Sequence, residues 1–304
     1  MGKIYVIGHL NPDTDTVVSA ISFAAFMNNV MKTDSYVPAV SGKINSETEF
    51  VLKRFNVKTP ALLEDAKGKK VYLVDHNEDT QRVKGISNEN ILGIVDHHKM
   101  KFESPNTIEI MTLPLGSTNS IIYMMAKQHN LDLGKDIKGL ILSAILSDTV
   151  ILKSPTTTKT DIAFTEEISK DIGIDYKALG LEQFKAKAEV SKKTAEEIIM
   201  NDFKEYMFPS GLFGVGQLEM PDLKEIDPKI PEILKKLKSM PKYHSLVIML
   251  TDIIKEGTRL IVVSKDEAKI AKAFKTKIKD NVSDFIPGML SRKKQVAPVL
   301  TENF

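Results

Sequence analysis

The sequence contains no cysteine. That absence removes disulfides, thiolate nucleophiles and cysteine-ligated zinc or iron–sulfur centres, so any metal must be held by histidine and carboxylate. Such ligands suit Mn2+, Co2+, Fe2+, Zn2+ and Mg2+. Also missing is any run approaching the ~18 apolar residues of a membrane-spanning helix. The first residues lack the basic flank, apolar centre and small-residue cleavage site of a secretory signal. The expectation is a cytoplasmic protein with no membrane partner. There is no internal repeat and no low-complexity tract. A charge excess is lacking overall, yet residues 1–184 carry 20 Lys and Arg against 23 Asp and Glu, and residues 185–304 carry 22 against 17. An acidic half suited to cations and a basic half suited to anions is one physical reading; ordinary surface composition is the other.

At 304 residues, with 42% hydrophobic and 27% charged residues, the chain is long enough for two globular domains. In the first half, short apolar runs alternate with helical spacing. The runs "KIYVIG" (3–8), "SYVPAV" (35–40), "KVYLVD" (70–75), "ILGIVD" (91–96) and "IEIMTL" (108–113) predict strands. Residues 17–32, 46–55, 117–130, 135–151 and 160–184 predict helices. This alternation gives an α/β fold with a largely parallel sheet covered by helices on both faces. The polar stretch 184–198 lacks Gly and Pro and marks a boundary, with a linker at 188–194 between domains 1–187 and 195–304. Beyond it, a hairpin around "PSG", a helix over 227–240, strands at 244–254 and 259–264, and a helix over 266–278 describe a smaller mixed α/β domain.

Ligands of open parallel sheets bind at the carboxyl ends of the strands. Those ends carry His9, Asp13 and Asp15 after the first strand, Asp75 and His76 in "VDHNE", and Asp96, His97 and His98 in "VDHHK". Asp148 sits in the apolar helix "LSDT". Four of six histidines thus fall at three strand ends. Taken alone, "NPDTDT" suits a helix cap, through Thr14 or Thr16. Asp148, however, is a carboxylate in an apolar helix, where burial is costly without a cation or several donors. Two divalent ions ~3.5–4 Å apart need a bridging carboxylate; Asp75 has the central position. His9 and Asp13 then complete one site, and Asp15, His97 and Asp148 the other.

In this order and spacing, "GHLNPDTD", "LVDHNE", "VDHH" and "LSDTVILKSPT" resemble the DHH phosphoesterase superfamily, and "SRKKQVAP" (291–298) resembles its family II inorganic pyrophosphatases. The resemblance spans nearly the whole chain. It implies hydrolysis of pyrophosphate to two phosphates by a metal-bridged hydroxide in an interdomain cleft that closes over the substrate. It implies one Mn2+ on His9, Asp13 and Asp75, another on Asp15, Asp75, His97 and Asp148, with Co2+ an acceptable substitute, and Mg2+ arriving with the substrate. It assigns His98 to substrate contact and proton donation, and Lys204, Arg292 and Lys293 to the substrate's phosphoryl oxygens. Asp96, His76 and Asn77 would orient ligands; His129 and His244 match no motif. A homodimer is implied too.

Arg292 offers a planar fork to phosphate and Lys293 a point charge. Strand-like alternation across Lys293 and Lys294 would turn only one of them inward. "GVGQ" (214–217) lacks the glycine pattern and following helix of a phosphate loop. An alternative substrate is a short polyphosphate or short oligonucleotide. Against it, the C-terminal half has no glycine- and histidine-rich motif, and the basic cluster has no adjacent aromatic on which a base would stack. No nucleic-acid partner is expected. An inert metal or phosphate sensor is the third reading; the complete ligand set and the lack of room for a regulatory insertion speak against it.

Overall fold

The computed structural model describes residues 2–188, 190 and 193–304. Glu189, Ser191 and Lys192, part of the predicted linker, lie outside the described residues. Two compact units form, Met1–Leu152 with Thr156–Gln183, and Lys153–Pro155 with Phe184–Phe304.

The first unit is built on six strands, β1 (Ile4–Ile7), β2 (Tyr36–Val40), β3 (Ala61–Leu62), β4 (Lys70–Val74), β5 (Ile91–Asp96) and β6 (Glu109–Thr112). Their order is β3-β2-β1-β4-β5-β6, and every pairing is parallel. From β1 the chain winds outward to β3, then returns to the other side of β1 with β4. The direction of winding therefore reverses between β1 and β4, where the loops leaving the two strand ends diverge and open a crevice. The two-residue β3 escapes detection in the sequence because it is too short to show alternation.

The helices are α1 (Thr14–Val30), α2 (Ser46–Arg54), α3 (Thr118–Gln128), α4 (Gly134–Asp148), α5 (Lys159–Ile172) and α6 (Tyr176–Ala188). The predicted continuous helix over 160–184 is two, because Gly173 ends α5 in a left-handed conformation, φ 70°, at little cost for a residue without Cβ. On one face of the sheet α1 packs Phe23 against Tyr72, ring centroids 5.2 Å apart. A second apolar cluster joins Ile7, Leu73, Ile91 and Ile94 of the strands to Leu63, Ala66 and Val83, and the parallel sheet flanked by helices is the α/β fold that the alternation predicts.

Gly139, inside α4, faces Phe55: a Cβ there would stand 2.1 Å from the nearest ring carbon. Alanine gains ~1 kcal/mol over glycine in a helix interior, but overpacking a well-filled core costs ~1–3 kcal/mol, so the clash wins. Gly139→Ala should lower the melting temperature by several degrees, at ~2–4 °C per kcal/mol. An unchanged or higher value by calorimetry would show that the Phe55 ring yields freely.

The second unit carries α7 (Ala195–Ile199), β7 (Lys204–Phe208), β8 (Gly211–Met220), α8 (Ile230–Lys238), β9 (Ser245–Asp252), β10 (Gly257–Ser264), α9 (Glu267–Ala273), the short β11 (Ile278–Lys279), β12 (Val282–Ser283) and β13 (Ile286–Pro287), and α10 (Ala297–Asn303). β7 and β8 form the predicted hairpin, β8 and β9 run parallel, and β9 and β10 antiparallel. Apolar clusters cover this mixed sheet, one including Leu218, Ile248 and Ile261, the other Phe213, Val247 and Val262. No helix among the described residues is long and apolar enough to cross a membrane.

Candidate metal centre

Asp13 is the residue that caps α1: its Oδ1 accepts from Thr16 N at 2.9 Å. The cap is thus the aspartate and not Thr14 or Thr16, and it leaves Oδ2 free to face His9 Nε2 at 3.4 Å. His9 Nε2 also lies 3.5 Å from Asp75 Oδ2. Its other ring nitrogen, Nδ1, is 2.7 Å from Leu10 O, and as donor there it aims Nε2 at the two carboxylates.

Asp75 directly follows β4 with φ 62°, a left-handed conformation that costs a non-glycine residue energy and recurs at functional sites. Its amide still pairs with Val95 O at 2.9 Å. Thr16 Oγ1 donates to Oδ2 at 2.6 Å and Thr118 Oγ1 to Oδ1 at 2.9 Å. The two hydroxyls fix the carboxylate across the crevice, Oδ2 toward His9 and Oδ1 toward His97.

His97 Nδ1 lies 3.0 Å from Leu115 O, while Nε2 is 3.5 Å from Asp75 Oδ1 and 3.6 Å from Asp148 Oδ2. That nitrogen is buried with no hydrogen-bond partner. Burial first, and His98 second, push the His97 pKa down, so the ring is neutral and Nε2 presents a lone pair. A lone pair facing two carboxylates lacks a donor among them; a cation supplies what is missing. Atoms sharing a divalent ion at ~2.1 Å stand ~3.0–3.4 Å apart, close to these separations and too long for hydrogen bonds of normal strength. The donor set therefore fits a metal.

Asp15, in the first turn of α1, is fully buried. Ser117 Oγ donates to its Oδ1 at 2.6 Å, Asn119 Nδ2 to the same oxygen at 2.8 Å and Thr118 N to Oδ2 at 2.8 Å. Asp148 is the last residue of α4, at the helix end and only partly buried, so its environment is less apolar than the sequence pattern suggests. Among the described residues the ligand atoms fall into His9, Asp13 and Asp75; Asp15, His97 and Asp148; and Asp75, His97 and His98. The first and third groupings share Asp75, and the second and third share His97. In the third, His98 Nδ1 is 2.9 Å from Asp96 Oδ1 and 3.8 Å from Asp75 Oδ1, so its hydrogen bond is to Asp96.

Around this centre Asn77 Nδ2 donates to Asp96 Oδ2 at 2.7 Å. His76 Nδ1 bonds Val74 O at 2.9 Å, and burial pushes the His76 pKa down to about 4. Burial raises the Asp15 pKa well above the carboxylate range, with the Asp75 charge adding to it. His9 goes the other way from its own burial, which would lower it: the Asp13 and Asp75 carboxylates hold it well above the ordinary histidine value.

Metal binding requires ionised Asp15 and neutral His9, so both must release protons. With His9 raised, protons compete above pH 6.5 as well as below it, and affinity is lost as pH falls through its folded-state pKa. Mn2+ affinity should therefore rise by at least about tenfold between pH 6 and pH 8. Calorimetry in buffers of different ionisation enthalpy measures both affinity and proton release; a flat profile without released protons would contradict these shifts.

In the second unit, Arg292 opens a five-residue turn, Arg292–Val296, that leads into α10, so the alternation expected of Lys293 and Lys294 does not apply. Arg292 is buried and pairs both terminal nitrogens with Asp202, Nη1 with the backbone oxygen and Nη2 with Oδ1 at 2.8 Å. Lys293 is exposed, as is Lys204 at the start of β7. Gln217, from "GVGQ", accepts from Arg292 N at 3.3 Å and donates to Leu290 O at 3.0 Å. The sequence gives no sign of that contact, nor of the hydroxyls and amides of 117–119 around Asp15 and Asp75. "GSTNS" has the form of a helix start, and the helix it starts is present.

Residues 3–145 match the DHH family, N-terminal domain, and residues 181–303 the DHHA2 domain. A protein of Methanothrix thermoacetophila named manganese-dependent inorganic pyrophosphatase is 43% identical, over 99% of this chain and 98% of its own. A Bacillus subtilis protein of the same name is 36% identical over 99% of both chains. The crystal structure of a putative family II inorganic pyrophosphatase from Methanococcus jannaschii superposes with a TM-score of 0.83 at 40% identity, over 99% of each chain.

Proposed function

Because the chain belongs to the manganese-dependent inorganic pyrophosphatases of the DHH family and hydrolyses pyrophosphate to two phosphates, we propose the following roles for its residues. His9, Asp13 and Asp75 hold one Mn2+, and Asp15, Asp75, His97 and Asp148 a second, with Co2+ an alternative ion and Mg2+ arriving on the substrate. Such ions lower the pKa of water toward neutrality and offset phosphoryl charge. The observation that carries this reading is the buried, partnerless His97 Nε2 between Asp75 and Asp148.

Asp75 serves both ions because its two oxygens are aimed apart by Thr16 and Thr118. Water gives up one proton to solvent and adds as hydroxide to one phosphorus, the bond from that phosphorus to the bridging oxygen breaks, and the departing phosphate takes a proton from His98, which solvent then restores. Asp96 orients His98 for this through bonds to its backbone N, at 3.0 Å, and to Nδ1. Lys204, Arg292 and Lys293 bind the phosphoryl oxygens. Arg292 would come to substrate already held by Asp202, which limits the ordering that binding must impose. The same family reading carries a homodimer and a cytoplasmic location.

The alternative substrates, short polyphosphate and short oligonucleotides, are not favoured. Phosphate release from pyrophosphate, tripolyphosphate and a dinucleotide, each with Mn2+ and Mg2+, separates the readings. Pyrophosphate should be turned over fastest by a wide margin; negligible release from it beside good release from either other substrate would overturn the assignment.

A further inference from the structure

Asp161 is fully buried, carries a carboxylate, and has no part in the reaction described above. In the first turn of α5 it completes a capping box with Thr158: its Oδ2 accepts from Thr158 N at 2.7 Å and its N donates to Thr158 Oγ1 at 3.3 Å, while Thr158 Oγ1 also donates to Oδ2 at 2.6 Å. A capping box needs only that reciprocal pair. Here the carboxylate also reaches across to the segment before and inside the start of α3. Gly116 N donates to Oδ2 at 2.9 Å and Ser120 Oγ to Oδ1 at 2.5 Å.

The segment so held is the one whose opposite side faces the metal centre. Leu115 O fixes the His97 ring; Ser117, Thr118 and Asn119 supply the donors on Asp15; Thr118 Oγ1 holds Asp75. Little slack exists between the two sides. A Cβ on Gly116 would lie 2.7 Å from Asp161 Oδ2 and 2.7 Å from Thr149 Cγ2, and Thr149 follows Asp148 directly. Three ligands, Asp15, Asp75 and His97, therefore take their orientation from one short turn clamped from behind by one carboxylate.

We propose that Asp161 is a positioning residue of the metal centre, setting the 115–120 turn that orients Asp15, Asp75 and His97. The inference rests on the metal-centre reading above and deepens it. Groups that orient metal ligands typically change affinity by 10–100-fold when removed, and Asp161 acts one bond further out.

Mn2+ titration of the metal-stripped full chain, followed by calorimetry and by electron paramagnetic resonance of the bound ion, tests it. Asp161→Ala should weaken Mn2+ binding about tenfold and broaden the bound-ion signal. Asp161→Asn, whose amide oxygen can still accept from Gly116 N, should recover affinity to within about threefold of wild type. Thr158→Ala removes the α5 cap and one donor to Asp161 but keeps the bonds from Gly116 and Ser120, and should leave affinity within about twofold. Wild-type affinity in Asp161→Ala, or an equal loss in Thr158→Ala, overturns the proposal, since the residue would then be only a helix cap. Should Asp161→Ala fail to fold, Ser120→Ala decides: a loss of about threefold supports the clamp, and unchanged affinity refutes it. Absence of Mn2+ uptake by the wild-type chain would be visible before any variant and would take down the metal-centre reading along with this one.

Discussion

Asp75→Asn should reduce pyrophosphate hydrolysis by on the order of 10³-fold or more, because a shared ligand organises both ions that bring water's pKa from 15.7 toward neutrality. The substitution keeps the size of the side chain, and the amide oxygen can still accept from one of Thr16 and Thr118. What it removes is one negative charge and one of the two oxygens that face His9 on one side and His97 on the other. Neither flipped state of the amide restores both. Burial opposes ionisation of Asp75, yet His9, His98 and His97 hold its pKa well below the ordinary carboxylate value, so the native group presents a full charge throughout the neutral range. Steady-state rates with saturating Mn2+, together with equilibrium dialysis, check the expectation. A variant that keeps full activity would remove Asp75 from the centre.

His98→Gln should act differently, lowering kcat by roughly 10²-fold, within the range for loss of a positioned proton donor, while leaving Mn2+ affinity within about threefold. The ring is partly exposed, and its Nδ1 is bound by Asp96, itself fixed by Asn77. Glutamine fills similar space but cannot donate a proton as an acid, so turnover should fall while the ions stay bound. Affinity and turnover thus separate two roles that geometry leaves adjacent. A large loss of Mn2+ binding would instead make His98 a ligand with Asp75 and His97, the third grouping of ligand atoms.

The grouping of His9, Asp13, Asp15, Asp75 and His97 was legible because each follows a strand, and strand ends in a parallel sheet share one edge. The order β3-β2-β1-β4-β5-β6 then sets β1 beside β4 at the reversal, which periodicity does not encode. Asp148 was visible as a misfit in an apolar helix, although it lies at the helix end. The supporting hydrogen bonds were hidden. Asn119 and Asp15 are more than a hundred residues apart in sequence, and Ser, Thr and Asn at a helix start look alike whether they cap that helix or hold a distant carboxylate. Asp161 was concealed in the same way, since a capping box accounts for it locally. The 292–296 turn failed the alternation rule because it is not a strand. The short β12 and β13 are held by pairing with β10, earlier in the chain, and β11 by pairing with β12.

Metal-stripped chain titrated with Mn2+, with bound metal and phosphate release from pyrophosphate measured on the same samples, tests the two-ion centre most directly. The account predicts that activity appears as occupancy passes one ion per chain and levels off at two. Full activity at one ion per chain, or two bound ions with no release of phosphate, would contradict it.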